Sequence, residues 1–418
     1  MPMQERLKSM CGSYVTGPDF WGREDDIARL RQLIDGGANI VLVAQRRMGK
    51  TSLMKELQRQ LSSQEDRPWL CLFIDLQGAQ SPEEAITELA VELRRHQGWG
   101  KKIGHLIGNF LRAIRPEEID IKLFRIKFRE AVTSGDWREK GNELFDALAK
   151  SEKPVLLILD EIPILINRIL MGRTRTITSE GPSRVSEFLS WLRGNSIRHQ
   201  GKIRIILLGS IGLAPMLRRA NLSAAINNFV PFELPPWDHI TAARCLRALA
   251  QESGIRFTND AEIAMVEKLG ICIPYHVQLF FKHVHDNCCT ARKNMLCGPD
   301  NVEAIYRKGM LGTSCNELSH YEERLKGAFD ERDYSLIVDL LTEAATSPPL
   351  RPDTIAGIAE DSAAEKAAIE VILQTLMHDG YLRETPEGEY VFVSHLLRDW
   401  WVSRHSHGYV PIARRAAR

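Results

Sequence analysis

The chain has no long apolar run. Nothing in its 418 residues approaches the ~20 consecutive apolar residues of a membrane-spanning helix, which excludes a helical membrane protein. Met1 to Ser13 has no apolar core of the kind a secretory leader needs, and the expected location is the cytoplasm. Charge of one sign is also missing. Lys plus Arg number 55 against 54 Asp plus Glu, so a nucleic acid or an anionic membrane meets no global attraction and would need a local patch. The eight cysteines are scattered with no CxxC pair, and Cys288 and Cys289 are adjacent, a poor geometry for bridging one another. A disulfide scaffold is excluded, and reduced, mostly buried thiols are expected. Between Asn287 and Ser319 the cysteine spacing is irregular, with no histidine pair at ligand distance, so zinc is not expected. What remains is a globular composition, 44% apolar and 26% charged, with room for two or three domains.

The informative stretch begins at Asn39. Ile40 to Val43 is a short β-branched run, followed by Ala44-Gln45-Arg46-Arg47-Met48-Gly49-Lys50-Thr51-Ser52 and then by Leu53, Leu57 and Leu61 on one helical stripe. Strand, tight loop, Lys-Thr and helix is the context a phosphate-binding loop requires. Loop amides and the positive helix N-terminus cradle the phosphates. Lys50 would reach the β- and γ-phosphates, and the Thr51 hydroxyl would ligand Mg²⁺. Ala44 stands where the motif has its first glycine; it is the smallest substitute, and the position can use an ordinary backbone region.

A second signal lies at Val155 to Leu159, a continuous apolar run that reads as a strand buried on both faces, ending in Asp160-Glu161. Asp160 can hold the hydrated Mg²⁺, and Glu161 can orient and deprotonate the attacking water. A third strand, Ile203 to Leu208, ends in Gly209-Ser210, and Ser210 could sense the γ-phosphate. The expected site grips a triphosphate where two neighbouring buried strands end, one leading to Lys50 and one ending at Asp160.

Asp19-Phe20-Trp21-Gly22-Arg23-Glu24, Arg46 to Leu53, Leu159-Asp160-Glu161 and Gly209-Ser210 occur in an order that resembles AAA+ and STAND ATPases, in particular the prokaryotic archaeal-type ATPases. Pro274-Tyr275-His276-Val277-Gln278-Leu279, His320 to Leu325 and Leu396 to Trp401 resemble later signatures of that family, and the likeness spans roughly residues 15 to 405. The resemblance implies ATP and Mg²⁺ as cofactors, with Phe20, Gly22 and Arg23 along the adenine. It also implies that Pro274 sits near the β-phosphate as a lever between nucleotide and lid. Cys272 stands where the family normally has a glycine, with Gly270 two positions back. In AAA+ rings the segment matching Leu213 to Ala220 can supply an arginine finger in trans, here Arg218 or Arg219.

The expected fold is α/β: a parallel P-loop NTPase sheet, a helical lid and a C-terminal winged helix-turn-helix domain. The expected domains are a core at 1–236 with an insert at 98–135, a lid at 237–325, a winged helix at 326–405 and a basic tail at 406–418. The insert is basic early and alternates at Ile119-Asp120-Ile121-Lys122-Leu123, which suggests a small strand or hairpin. Met171 to Arg184 reads as a solvated loop, with Arg173, Arg175 and Arg184 able to touch a neighbour's phosphate or nucleic acid. Thr241 to Asp286 is helical throughout, and Gly380 to Arg383 with Tyr390 to Val393 reads as a hairpin. The candidate recognition helix, Ala363 to His378, sets Lys366 and Gln374 against Glu365 and Glu370, and the hairpin tip carries Glu384, Glu387 and Glu389. Duplex DNA is therefore not the favoured partner. The favoured reading is an ATP-driven switch acting through a protein partner or a homo-oligomer. A DNA-directed ATPase of origin-recognition or transposition type and a non-hydrolysing scaffold are the alternatives.

Overall fold

Five short apolar segments form one parallel sheet: β1 (Asn39–Val43), β2 (Leu70–Asp75), β3 (Val155–Asp160), β4 (Ile203–Gly209) and β5 (Phe229–Glu233), in the order β2-β3-β4-β1-β5. Val155 to Leu159 and Ile205 to Gly209 are buried throughout, as strands covered on both faces must be. The computed structural model describes residues 7–66, 68–96, 120–133, 136–172, 177–209, 213–290, 295–362 and 364–415. The chain divides into a core unit, Arg23–Arg46 with Lys50–Leu234, and a second unit, Met1–Gly22, Arg47–Gly49 and Pro235–Arg418.

The strand order corrects one expectation. β1 and β3 are not neighbours, because β4 runs between them and pairs with both. At about 4.8 Å per strand, their axes are about 10 Å apart. Both still open at the same edge: Val43 is level with Gly209, and Leu159 with Leu207 two residues earlier on β4.

The helices of the core unit follow their apolar stripes. Glu24–Asp35 buries Ile27, Leu30 and Ile34, and Gly36-Gly37 lies at its end. Lys50–Ser62 buries Leu53, Leu57 and Leu61 completely, worth about 1.5–3 kcal/mol per side chain. Pro82–Arg95 starts at Ser81, whose hydroxyl accepts the Glu84 amide at 3.4 Å, while the Glu84 carboxylate reaches back to the Gln80 amide at 2.9 Å. The capping box is present with its return arm displaced by one residue.

Of the expected strand at Ile119 to Leu123, Ile119 lies outside the described residues, and Ile121 to Leu123 instead open a helix, Ile121–Thr133. Phe124, Phe128, Ala131 and Val132 recur at helical spacing and are buried, and Asp120 accepts the Lys122 amide at 2.9 Å to open the first turn. The five-residue alternation was too short to outweigh that stripe. Residues 98–119 and 134–135 of the expected insert lie outside the described residues, as do Arg173 and Arg175. Arg184 is not in a loop: it belongs to the helix Gly181–Arg198, whose Gly181 amide is capped by the Thr178 hydroxyl at 3.0 Å. This helix and Trp137–Ala149 share an aromatic cluster in which Trp191 meets Trp137 at 5.4 Å and Phe145 at 5.5 Å, edge-on.

In the second unit, the segment expected to be helical throughout is broken twice, at 253–260 and at 270–273. Helices His239–Glu252, Ala261–Leu269 and Pro274–Thr290 are interrupted by Arg256–Phe257, which pairs in parallel with Leu296–Cys297. Beyond a π-helical stretch at Tyr306–Thr313 come helices Ser319–Ala328, Glu331–Thr346, Pro352–Ser362 and Lys366–His378. An antiparallel hairpin, Leu382–Glu384 with Tyr390–Phe392, and the helix His395–His405 follow. Trp400 and Trp401 are buried, and the Trp401 indole N–H donates to the Thr342 hydroxyl at 3.1 Å. Cysteines 11, 71, 245, 272, 288, 289 and 297 are free thiols. Among the described residues, no helix is long and apolar enough to cross a membrane.

Candidate functional site

Between the end of β1 and Lys50, the first residue of the next helix, the chain makes a tight loop. Ala44 is buried, and its amide donates to the Gly209 carbonyl of β4 at 3.4 Å. Ala44 keeps an ordinary backbone; the left-handed conformation falls on Arg47 (φ 70°) and Gly49 (φ 84°). Alanine at the motif's first position therefore causes no backbone strain. Lys50 folds back over the loop, its Nζ donating to the carbonyls of Ala44 at 2.9 Å and Gln45 at 3.1 Å. Thr51 is exposed and Ser52 half-buried in the first helical turn.

Two carboxylates face the same edge from β3. The Glu161 backbone is itself left-handed (φ 57°, ψ 36°), and its amide donates to Asp160 Oδ1 at 2.9 Å. Such a conformation in a non-glycine residue costs about 1–3 kcal/mol and persists only where its surroundings over-determine it. Here β4 contributes directly: a Cβ on Gly209 would lie 2.4 Å from Pro163 Cγ, so the chain just past Glu161 rests against a bare backbone. Burial, then the Glu161 charge, pushes the Asp160 carboxyl up to about 6, against the pull of Lys50.

Two further groups at this edge were not singled out from sequence. Asp75 ends β2 level with Asp160 and adds to the rise of its pKa. Lys55, one turn past Thr51, lies 4.0 Å over the Phe73 ring; burial lowers its pKa, while Glu92 and Asp160 oppose that. A second apolar strand ending in aspartate was the legible signal for Asp75. For Lys55 it was the i, i+4 spacing from Thr51.

The arrangement fits a divalent cation. Glu161 Oε2 is buried with no hydrogen-bond partner among the described residues, and burial and the neighbouring Glu161 disfavour the charged form of Asp160. A cation beside them would relieve both penalties. Among the described residues, no group of three or more His, Cys, Asp or Glu could hold a metal ion.

The raised Asp160 pKa gives a pH prediction. The unfolded carboxyl titrates near 3.9, so the folded chain binds more protons than the unfolded one between about pH 4 and pH 6. The stability contributed by this group is fully present below about pH 4 and lost as pH rises through about 6. Asp160→Asn is expected to stabilise the nucleotide-free protein by about 1–2 kcal/mol at pH 7 and to be neutral at pH 4, as read by urea midpoints.

The remaining residues fall as follows. Arg23 belongs to the core unit, buried and paired with Asp26 at 3.1 Å, and burial lowers its pKa. Phe20 and Gly22 belong to the second unit, where Trp21 donates to the Thr241 carbonyl at 3.4 Å and Gly22 abuts Trp237 and Thr241. Pro274 is the buried first residue of its helix in that unit. Met48 is buried and Arg46 exposed. The Arg47 guanidinium binds the Glu317 carboxylate and carbonyl rather than pointing freely outward. Arg218 is exposed on the helix Leu213–Arg219. Ser210 and the Arg219 side chain lie outside the described residues. Ala44, Lys50, Asp160 and Glu161 are thus brought to one sheet edge.

No family model matches the chain, and no curated protein matches it in sequence. Among solved structures, it is similar to a Walker-type ATPase of Pyrococcus abyssi, with a TM-score of 0.63 and 17% identity over 95% of this chain and 98% of that one. It is also similar to the ORC2 protein of Aeropyrum pernix, solved as ADPNP-ADP complexes, with a TM-score of 0.60 and 13% identity over 97% of each chain. At these identities the likeness is one of fold: the chain shares with them an α/β architecture, here built on a parallel five-stranded sheet.

Proposed function

We propose that this protein binds and hydrolyses ATP as a cytoplasmic, AAA+/STAND-like switch acting through a protein partner or a homo-oligomer. The observation that carries the reading is the pairing, at one edge of a parallel sheet, of the Lys50 loop with Asp160 and the buried, unpartnered Glu161 oxygen. The similar ORC2 fold, solved with ADPNP and ADP, supports nucleotide as the ligand.

Lys50 exchanges the carbonyls of Ala44 and Gln45 for the β- and γ-phosphate oxygens, as stronger charge-assisted acceptors. Amides from Gln45 to Ser52 cradle the phosphates. Thr51 and Asp160 would hold Mg²⁺, which when bound neutralises charge on the phosphate oxygens. Glu161 orients the attacking water and takes its proton as the bond to the γ-phosphorus forms and the bond to the ADP oxygen breaks. Phe20, Gly22 and Arg23 take the adenine, Ser210 senses the γ-phosphate, and Pro274 transmits the state of the site to a helical lid. Arg218 or Arg219 serves a neighbouring copy.

The C-terminal helices with their hairpin form a winged helix used for protein contact. The exposed face of Lys366–His378 carries Lys366 against Glu370, with Val371 61% exposed and Gln374 beside it. That balance leaves little counterion release to drive duplex binding. The test is phosphate release: ATP turnover in the wild-type protein that Glu161→Gln abolishes while ATP stays bound.

A further inference from the structure

The conserved demand of a phosphate loop is geometric: successive amides must point at one anion, which requires a left-handed residue within the loop. In this chain that residue includes an arginine. Arg47 at φ 70° adopts a backbone that L side chains avoid, so something must hold it there.

Five contacts within the second unit do so. The Arg47 guanidinium donates to the Glu317 carboxylate and, at 2.8 Å, to the Glu317 carbonyl. It lies 4.3 Å over the Tyr275 ring. The Tyr275 hydroxyl donates to the same Glu317 carboxylate at 3.1 Å. The Tyr275 amide donates to the Arg47 carbonyl at 3.4 Å. Side chain and backbone of one loop residue are therefore tied into a closed ring with Glu317 and Tyr275. Beside it, His276 is 2% exposed, and burial with the Arg47 and His320 charges lowers its pKa to about 3.

We infer that Glu317 and Tyr275 are positioning residues: they clamp Arg47 in its left-handed backbone and so hold the loop amides ready for a nucleotide phosphate. The inference rests on the proposed nucleotide site and names what keeps it preorganised. Without the clamp Arg47 leaves this conformation part of the time, and the apparent nucleotide affinity falls by the fraction of competent loops.

The experiment is a double-mutant cycle read as Mg·ATP and Mg·ADP dissociation constants, with thermal melts as a check on folding. Glu317→Ala is expected to weaken both nucleotides about fivefold, and Tyr275→Phe by less, because the ring contact survives. Arg47→Gly in the Glu317→Ala background is expected to recover affinity, because glycine takes the left-handed backbone unaided. With glycine at 47, removing Glu317 should have no further effect. A structural role for Glu317 would lower stability whatever residue stands at 47, with no such recovery. Unchanged or tightened binding in Glu317→Ala, or additive losses across the cycle, overturns the inference and leaves the nucleotide site standing. A wild-type protein that binds no nucleotide overturns both.

Discussion

Replacing Lys50 by alanine is expected to weaken Mg·ATP binding by about 100-fold or more, with the fold retained. The figure follows from removing the ammonium placed over the loop. Its Nζ sits on the carbonyls of Ala44 and Gln45, and a lost charge-assisted contact to a phosphate is worth about 3 kcal/mol. The cost to the unliganded protein is about 1 kcal/mol, the net worth of a hydrogen bond in this setting. Isothermal titration and a urea melt separate the two effects. Tight binding by the Lys50→Ala protein would mean that the loop is not where the triphosphate sits.

The second large effect is on turnover. Glu161→Gln keeps the size and left-handed backbone of the residue but removes the base, and hydrolysis is expected to fall by about 10²–10⁴. ATP affinity should change by a few-fold at most, because in the proposed scheme Glu161 acts on water and does not hold the nucleotide. The variant should therefore accumulate with ATP bound, and filter-retained ATP against released phosphate measures that split. Equal turnover in the two proteins would remove Glu161 from the mechanism. Absence of turnover in the wild type, with ATP bound, would turn the account to a non-hydrolysing scaffold.

Local patterns made most of the fold legible. The apolar runs at Ile40, Val155 and Ile203 each became a strand, and Leu53, Leu57 and Leu61 became one fully buried stripe. Where a short pattern competed with a longer one, the short one misled: five alternating residues at Ile119 suggested a strand, yet Phe124 and Phe128 belong to a helix. β5 escaped notice because Pro231 sits within it, tolerated since β5 pairs only with β1 at the sheet edge. The position of β4 between β1 and β3 is a property of pairing, and no residue on any one strand encodes it. The same holds for Arg47 and Glu317, 270 positions apart. Lys50, Asp160 and Glu161 could be read from their flanks. The bare Gly209 backbone under Pro163, against which the chain past Glu161 rests, could not.

The central claim is that a magnesium-bound triphosphate is held at the edge shared by the loop before Lys50 and the end of β3. Titration of the wild-type protein with ATP, with magnesium and again with the metal chelated, tests it most directly. The account predicts one ATP per chain, an affinity at least tenfold weaker without the metal, and loss of that difference in Asp160→Asn. Binding that ignores both magnesium and Asp160, or no binding at millimolar ATP, would contradict it.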